Sequence, residues 1–596
     1  MNHLYWKDLL RLINKFLLRN RLMNNYFKIV SATVILFFSV FMSAAQKKDD
    51  VIMKAMQDEL SRCMNGLKYK EYAKPFFIGF NVTDSKSLTI ISTFGALIHS
   101  SESPQKIRSV RVLAGDYDFN DESLDNDITS PPILSDIDMP DDDDYYGIRR
   151  SLWSSTENVY INASRHFQRN KMNLAEQKKP LEEIPHRSFA KTEKVNLVID
   201  SSEIKYDKIK LENYYRELSA VFNKYEDLSG SNVIFNFSGG NNYFVNSEGT
   251  RTKTPFRLAF LGLSAGAKTA DGDNLQGQLS YYASDPSQLP PADNLKKDIS
   301  EMVKTLFAKR NAPVFNEDYT GPVLIERKAL AELISNILFS YDEGLIVNNN
   351  INTGYGMQYD QGVSPDLKIG KTIVSEMMTV KALPKLKTFK GSPLLGSFDA
   401  DNEGVIPPDE LTLIEKGKLR NLLNDRTITK PGQTPNGHGQ GPGVISISFD
   451  NAVAKGELKN MLIKEAKSEA QEYAFILKSV TESSYGQGDF PGGAEDDFSS
   501  LQLDLYRVSL ADGSEELVRS ANLKSVSMKI FKKIIAASNE TFVEHTVHTG
   551  AGGQHALSLI LPGAILFKEL EISGSETPFH KENIFVESPL KKNTAK

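Results

Sequence analysis

Residues 391–423 constrain the fold of this chain more than any other stretch. Gly391–Pro408 holds three glycines and three prolines among acidic residues, which breaks any regular element there. Two short apolar runs follow, Leu411–Glu415 and Lys418–Leu423, on either side of Lys416-Gly417. Apolar runs flanking a glycine turn predict a β-hairpin. Within the first segment Asp399, Asp401, Glu403, Gly404 and Glu410 fall at positions 1, 3, 5, 6 and 12 of a calcium-binding EF-hand loop. Such a loop needs a helix on each side. Gly391, Pro393 and Gly396 crowd the first helix, and Pro407-Pro408 lies where the second should form. The spacing therefore reads as an acidic turn, with calcium as its alternative.

At 596 residues the chain is long enough for two or more domains. A net charge of −6 gives no footprint for nucleic acid, which would require a basic patch. Near the N-terminus the apolar run Ile29–Ala45 follows Lys28, and Ser43 and Ala45 precede Gln46 at −3 and −1. This has the form of a secretory signal peptide over residues 1–45, with Met23 as an alternative start. An uncleaved anchor is the other reading, but the run is short for a span of about 20 residues. Export implies a periplasmic or secreted protein with no stable membrane span after cleavage. The single cysteine, Cys63, excludes an internal disulfide. It lies with Ile52, Met56, Leu60 and Leu67 at helical spacing, as a small buried hydrophobe would.

Further along, strands are expected at 76–80, 88–94, 109–113 and 195–199. Asp141–Asp144 reads as the acidic N-terminus of a helix whose apolar face includes Tyr145, Ile148, Leu152, Val159, Ala163 and Phe167. Residues 177–194 read as a linker. Gly239-Gly240 predicts a hairpin turn between 232–237 and 242–246. Helices are expected at 213–225, 294–310, 327–338 and 455–469, and strands at 321–325 and 444–449. Glu482–Ser500 reads as a mobile loop. Asp512-Gly513 predicts a tight hairpin, and Leu557–Leu561 and Ala564–Ile572 close the chain.

Several of these segments resemble, in order, the TldD/PmbA (modulator of DNA gyrase) family of metallopeptidase-like proteins. They are Glu403-Gly404-Val405, Leu413–Leu419, Asn436-Gly437-His438-Gly439-Gln440, the 506–519 hairpin and the closing strand Leu561–Ile572. Gln440 departs from the arginine usual there. The resemblance implies an α+β fold: an N-terminal mixed α/β domain over 46–311, then a mainly β domain over 312–596. Active members carry His-Glu-x-x-x-His on the helix after the strand matching Pro322–Ile325, and a downstream cysteine. Here that window has no histidine, none occurs between Arg187 and Gly437, and the second half has no cysteine. Glu326 and Glu332 lie six apart and face different directions. The chain thus resembles the branch that lacks the zinc ligands and pairs with a zinc-bearing subunit.

The resemblance implies a role in proteolysis: binding of peptide or unfolded protein, as a homodimer or as a heterodimer with a zinc-bearing member. No cofactor is expected. Asn436, Gly437, His438 and Gly439 lie in a Gly/Pro-rich loop whose backbone can line a peptide cleft. Two alternatives remain. One is an active zinc peptidase whose metal sits on His545, His548 and His555 around the glycines at 550–553. Against it, His545 and His548 would point to opposite faces of a straight strand. The other is a non-enzymatic periplasmic binding protein.

Overall fold

The computed structural model describes residues 50–124, 133–200, 204–339, 344–347, 368–430, 432–482, 501–550 and 553–574. The segment 1–45 expected to be a signal peptide and most of Glu482–Ser500 lie outside them. Among the described residues no helix is long and apolar enough to cross a membrane. Residues from Met56 onward form one compact body.

The order of the first half is α1 (Val51–Gly66), β1 (Pro75–Thr93), β2 (Ala96–Ala114), β3 (Ile133–Asp138), α2 (Tyr145–Gln177), β4 (Ser188–Phe189), β5 (Asn196–Val198), α3 (Lys208–Ser219), β6 (Gly230–Asn246), β7 (Arg251–Lys268), β8 (Asn274–Ala283) and α4 (Ala292–Asn311). Seven of these strands form one sheet in the order β3-β2-β1-β6-β7-β5, with β8 also on β7. One face is covered by α3 and α4: Tyr215, Leu218, Leu295, Ile299 and Val303 pack on Leu88, Val233, Phe235 and Leu261. Helix α2 lies against β2. As the acidic run predicted, Asp144 caps α2 by accepting from the Gly147 amide. Lys106 gathers the preceding turn, reaching the Asp141 carbonyl at 3.0 Å and Asp143 Oδ1 at 2.8 Å. Cys63 is buried on α1, and burial pushes its thiol up to about 12, so it is unreactive at neutral pH.

The second half runs β9 (Asp318–Glu326), α5 (Arg327–Leu338), β10 (Met378–Ala382), β11 (Thr388–Phe389), β12 (Ser392–Pro393), β13 (Leu411–Glu415), β14 (Lys418–Leu419), β15 (Thr427–Ile428), β16 (Val444–Phe449), α6 (Lys455–Ser468), β17 (Tyr473–Glu482), β18 (Leu501–Ser509), β19 (Glu515–Val518), β20 (Ala521–Lys524), β21 (Ile534–Ala537), β22 (Thr541–Gly550), β23 (Gly553–Pro562) and β24 (Ala564–Gly574). One sheet is ordered β14-β13-β10-β16-β23-β22, another β19-β18-β17-β9-β24-β20 with β21 on β24. Helix α5 belongs to a core shared by both. Leu330, Leu333, Ile334 and Ile337 pack with Val323 and Phe475 from one sheet and with Val380, Ile445 and Leu559 from the other. Helix α6 packs on the remaining face of the second of these sheets, through Leu458, Leu462 and Ala466. The fold is α+β with a mainly β second half.

The hairpin forms around Lys416-Gly417, though its second strand is only Lys418–Leu419 where Lys418–Leu423 was expected, and Lys416 (φ 46°) and Gly417 (φ 77°) take the left-handed region that a two-residue type I′ turn requires. The hairpin expected at Gly239-Gly240 does not form: β6 runs unbroken through both glycines. The reason is packing. A Cβ on Gly240 would lie 1.9 Å from the Asp84 carbonyl oxygen on β1, so the glycine serves close strand approach instead of a turn. Likewise the strands expected at 76–80 and 88–94 are parts of the single strand β1, whose polar middle, Thr83–Ser87, is half-buried or exposed on both faces. The expected linker 177–194 contains β4, which pairs with β15 of the second half.

Replacing Gly240 by alanine is expected to cost about 1–3 kcal/mol, because β6 must separate from β1. Gly230→Ala, which meets nothing within 4 Å, is the near-neutral control. Urea unfolding of the two variants checks this.

Candidate functional site

The acidic turn at 399–410 works as a fastener between the two halves. Asp401 Oδ1 accepts from the amides of Glu403 (3.0 Å) and Val405 (2.8 Å), and its Oδ2 accepts from the Gly439 amide at 3.0 Å. One carboxylate therefore shapes its own turn and pins the Gly/Pro-rich loop. Gly404 takes φ 76°, and a Cβ there would meet Thr250 and Phe244 at 2.6 and 2.8 Å. This explains why glycine follows Glu403. Glu403 Oε1 accepts from Arg111 Nη1 at 2.7 Å, and its Oε2 accepts from the Arg426 amide at 2.7 Å. Arg111 also holds Glu122 through Nε (3.0 Å) and Nη2 (2.5 Å).

Arg426 is the centre of this fastener and is fully buried. Its Nε and Nη2 donate to the Ala190 carbonyl at 3.0 and 2.7 Å, and Nη2 also donates to Glu248 Oε1 at 2.8 Å. The guanidinium lies 4.1 Å from the Phe189 ring centroid and 5.0 Å from that of Phe77. Planar stacking with fork-shaped donation is what arginine, and not lysine, supplies. Tyr117 donates to the same Glu248 oxygen at 2.9 Å. These residues escaped the sequence reading. Arg426 and Ala190 are 236 positions apart, and Arg111 and Glu403 are 292 apart. No local periodicity encodes such pairs.

The calcium spacing is not assembled. Asp399 pairs with Lys387 at 2.7 Å and Glu410 with Lys381 at 2.7 Å, while Asp401 and Glu403 are used as described. Among the described residues no group of three or more His, Cys, Asp or Glu is placed to hold a metal ion.

Asn436 Oδ1 accepts from the Asn424 amide at 2.8 Å and its Nδ2 donates to the Leu422 carbonyl at 2.7 Å. Gly437 has φ 74° and sits against Pro407. His438 is 3% exposed, edge-on to Phe398, with Nδ1 2.9 Å from the Asn436 carbonyl oxygen. Burial lowers its imidazole to about 4, so it is neutral. The side chains of Asn436 and His438 and the amide of Gly439 thus hold the loop against the protein. Gly441 of the same loop faces His548, whose Cδ2 would lie 3.1 Å from a Cβ there.

The three C-terminal histidines lie on the β22–β23 hairpin. His548 pairs directly with His555, and His545 pairs with Ser558. The odd spacing turns His545 to the face opposite His548. His545 Nδ1 lies 3.0 Å from Ser558 Oγ, and burial lowers its imidazole to about 4. Burial lowers His548 as well.

At the start of α5, Glu326 lies 3.5 Å from Lys455. Arg327 Nε lies 2.5 Å from Glu544 Oε1, with its guanidinium 4.7 Å from the Phe542 ring centroid. Glu332 is exposed. The helix therefore offers its apolar residues to the core and its charged first turn to ion pairs with α6 and β22.

Two outcomes follow from these pairs. Burial, then the charge of Asp425, raises Glu403 to about 8 against the attraction of Arg111. A carboxyl whose folded pKa exceeds its unfolded value retains a proton that the unfolded chain has lost. Stability should therefore fall as pH rises from about 4.5 to about 8. Melting temperatures across pH 5–8 are expected to decline, and Glu403→Gln to flatten the decline. Separately, Arg327→Ala is expected to destabilise by roughly 1–2 kcal/mol by leaving Glu544 partly buried with only the charge of Lys328 to offset it. Adding Glu544→Ala should cost less than the sum of the single changes, as a double-mutant cycle in urea would read.

Residues 318–574 match the PmbA/TldA metallopeptidase C-terminal domain. Comparison with curated proteins returns no match. Among solved structures, the chain is similar to a candidate modulator of a DNA gyrase from Thermotoga maritima, with 15% identity and TM-score 0.52 over 87% of this chain and 99% of that one. It is similar to TldE from Thermococcus kodakarensis, with 13% identity and TM-score 0.51 over 87% and 100%. It is also similar to a candidate modulator of DNA gyrase from Bacteroides thetaiotaomicron, with 11% identity and TM-score 0.53 over 87% and 98%. At these identities the structural likeness concerns the fold.

Proposed function

This chain belongs to the TldD/PmbA family, and from that premise we propose that it is an exported member without a catalytic zinc site of its own. It acts as a peptide-binding or partner subunit of a proteolytic complex. The observation that carries this reading is α5. Its sequence, Arg327–Leu338, contains no histidine, and eight of its twelve residues are buried in the core. Its first-turn Arg327 is engaged with Glu544, and the preceding Glu326 lies beside Lys455. A zinc peptidase needs ligands and an open coordination position, and this helix brings neither imidazole nor thiolate to that end of the sheet.

Peptide binding is supported by the edge position of β22. Among the described residues, this strand of ten residues has β23 as its one lateral partner within its sheet. An extended chain can add to such an edge through backbone hydrogen bonds, independently of its sequence. The loop carrying Asn436–Gly439 stands beside it at Gly441 and His548. The partner is a second copy or a zinc-bearing family member, and the N-terminal apolar run supports export.

The test uses purified protein alone and a fluorescently labelled unfolded polypeptide, with and without added zinc. Saturable binding without cleavage is the expected result, read as anisotropy and by gel. Zinc-dependent cleavage by the protein alone would overturn the reading, and His545→Ala and His548→Ala would then show whether those imidazoles hold the metal.

A further inference from the structure

The two halves meet again at a second seam, on the side of β8 and α4. Gln502 Oε1 accepts from the Gln276 amide at 2.9 Å, and Gln502 Nε2 donates to the Asn274 carbonyl at 2.9 Å. Arg519 reaches Asp271 at 2.8 Å and the Ala312 carbonyl at 3.2 Å. Beside these contacts lies a partly open cavity of about 180 Å³. One wall is a stripe of α4 that includes Asp298, Glu301 and Lys309, and the facing wall carries Lys328, Ser479 and Asp504.

The charges are unevenly satisfied. Lys309 is 4% exposed at its side chain and lies 2.6 Å from Asp504, which closes that pair. Asp298 accepts from the Tyr281 hydroxyl at 2.7 Å through Oδ2 alone. Glu301 has a 3.9 Å contact with Lys297, both mostly exposed, and such a contact contributes little. Lys328, on the first turn of α5, is exposed, and its charge acts on Glu544 without a close ion pair among the described residues. Two carboxylates on one wall thus lie across the cavity from an ammonium on the other. The walls are also shaped. A β-bulge between Leu477 and Ser479 changes the register of β17 just where Ser479 enters the lining. Gly277 admits Met302, which would lie 2.9 Å from a Cβ there.

We propose that this cavity binds a small dipolar ligand bearing a free ammonium and a free carboxylate, the class of amino acids and dipeptides. Its ammonium faces Asp298 and Glu301 and its carboxylate faces Lys328. A volume of 180 Å³ is below the roughly 300–1,000 Å³ of drug-sized sites, so a ligand of one or two residues fits. The proposal does not rest on polypeptide binding at β22. A long chain with blocked ends would use that edge and leave this cavity untouched, so each can fail alone.

The test is isothermal titration of the full chain with alanyl-alanine, compared with N-acetyl-alanyl-alanine amide. Saturable binding of the free dipeptide is expected, weakened about tenfold or more when both ends are blocked. Lys328→Gln and Glu301→Gln alter exposed side chains and should each weaken alanyl-alanine about tenfold without shifting the melting temperature. No heat from alanyl-alanine up to about 10 mM, equal binding of the blocked dipeptide, or unchanged affinity in both variants would each overturn the proposal.

Discussion

The burial of Arg426 is the interaction on which the remaining geometry depends. Removing a guanidinium from water costs several kcal/mol unless its donors are met and its faces covered. Here Ala190 and Glu248 meet Nε and Nη2, the Phe189 and Phe77 rings lie together on one side of the guanidinium, and Nη1 is left without a hydrogen-bond partner among the described residues. All four lie in the first half of the chain, whereas Arg426 lies in the second. The arginine can be accommodated only when both halves are folded and docked. The same residue donates its amide to Glu403, so the acidic turn is held by the event that joins the halves. Asp401 extends the coupling to Gly439, and the Gly/Pro-rich loop is fixed in turn.

This chain of dependence gives the family segments a structural meaning. Glu403-Gly404-Val405 is a turn built around one carboxylate, with glycine where Phe244 and Thr250 leave no room for a Cβ. Asn436-Gly437-His438-Gly439 is a loop whose side chains and amides point inward. Their short-range pattern marks a fastening, and the buried neutral histidine belongs to it. Around α5 the logic is different. A helix buried between two sheets can expose only its ends and one narrow face. The identity of the first-turn residues then decides whether that place carries chemistry or ion pairs.

Much of the fold was legible because the signals were local. The helix Arg327–Leu338, the turn at Lys416-Gly417 and the Asp512-Gly513 hairpin each follow from periodicity or turn chemistry within a few residues. Gly239-Gly240 misled for a physical reason: glycine serves both sharp turns and close strand contact, and only the partner strand distinguishes them. The expected linker at 177–194 hid β4 because a two-residue strand exists only through its partner β15. In the candidate site, the opposite facing of His545 and His548 was readable from strand parity. The convergence of Arg111, Glu403, Arg426 and Glu248 was not, since those residues lie up to 292 positions apart.

Both seams between the halves are polar. At the first, Arg111 and Arg426 meet Glu122, Glu403 and Glu248; at the second, Lys309 and Arg519 meet Asp504 and Asp271. Contacts of this kind differ from a shared apolar core, whose strength grows with area. Their strength depends on every charge finding its partner, and the loss of one partner is far more damaging than the pair is favourable. Complementary charges across such a contact fix its register. They also respond to whatever alters the pairing, whether a proton at the first seam or a charged ligand beside the second. The apolar cores on either side have no such sensitivity. Control of how the halves are held therefore resides in a few ionisable side chains, while the layers of sheet and helix supply the rigid walls against which those side chains are set.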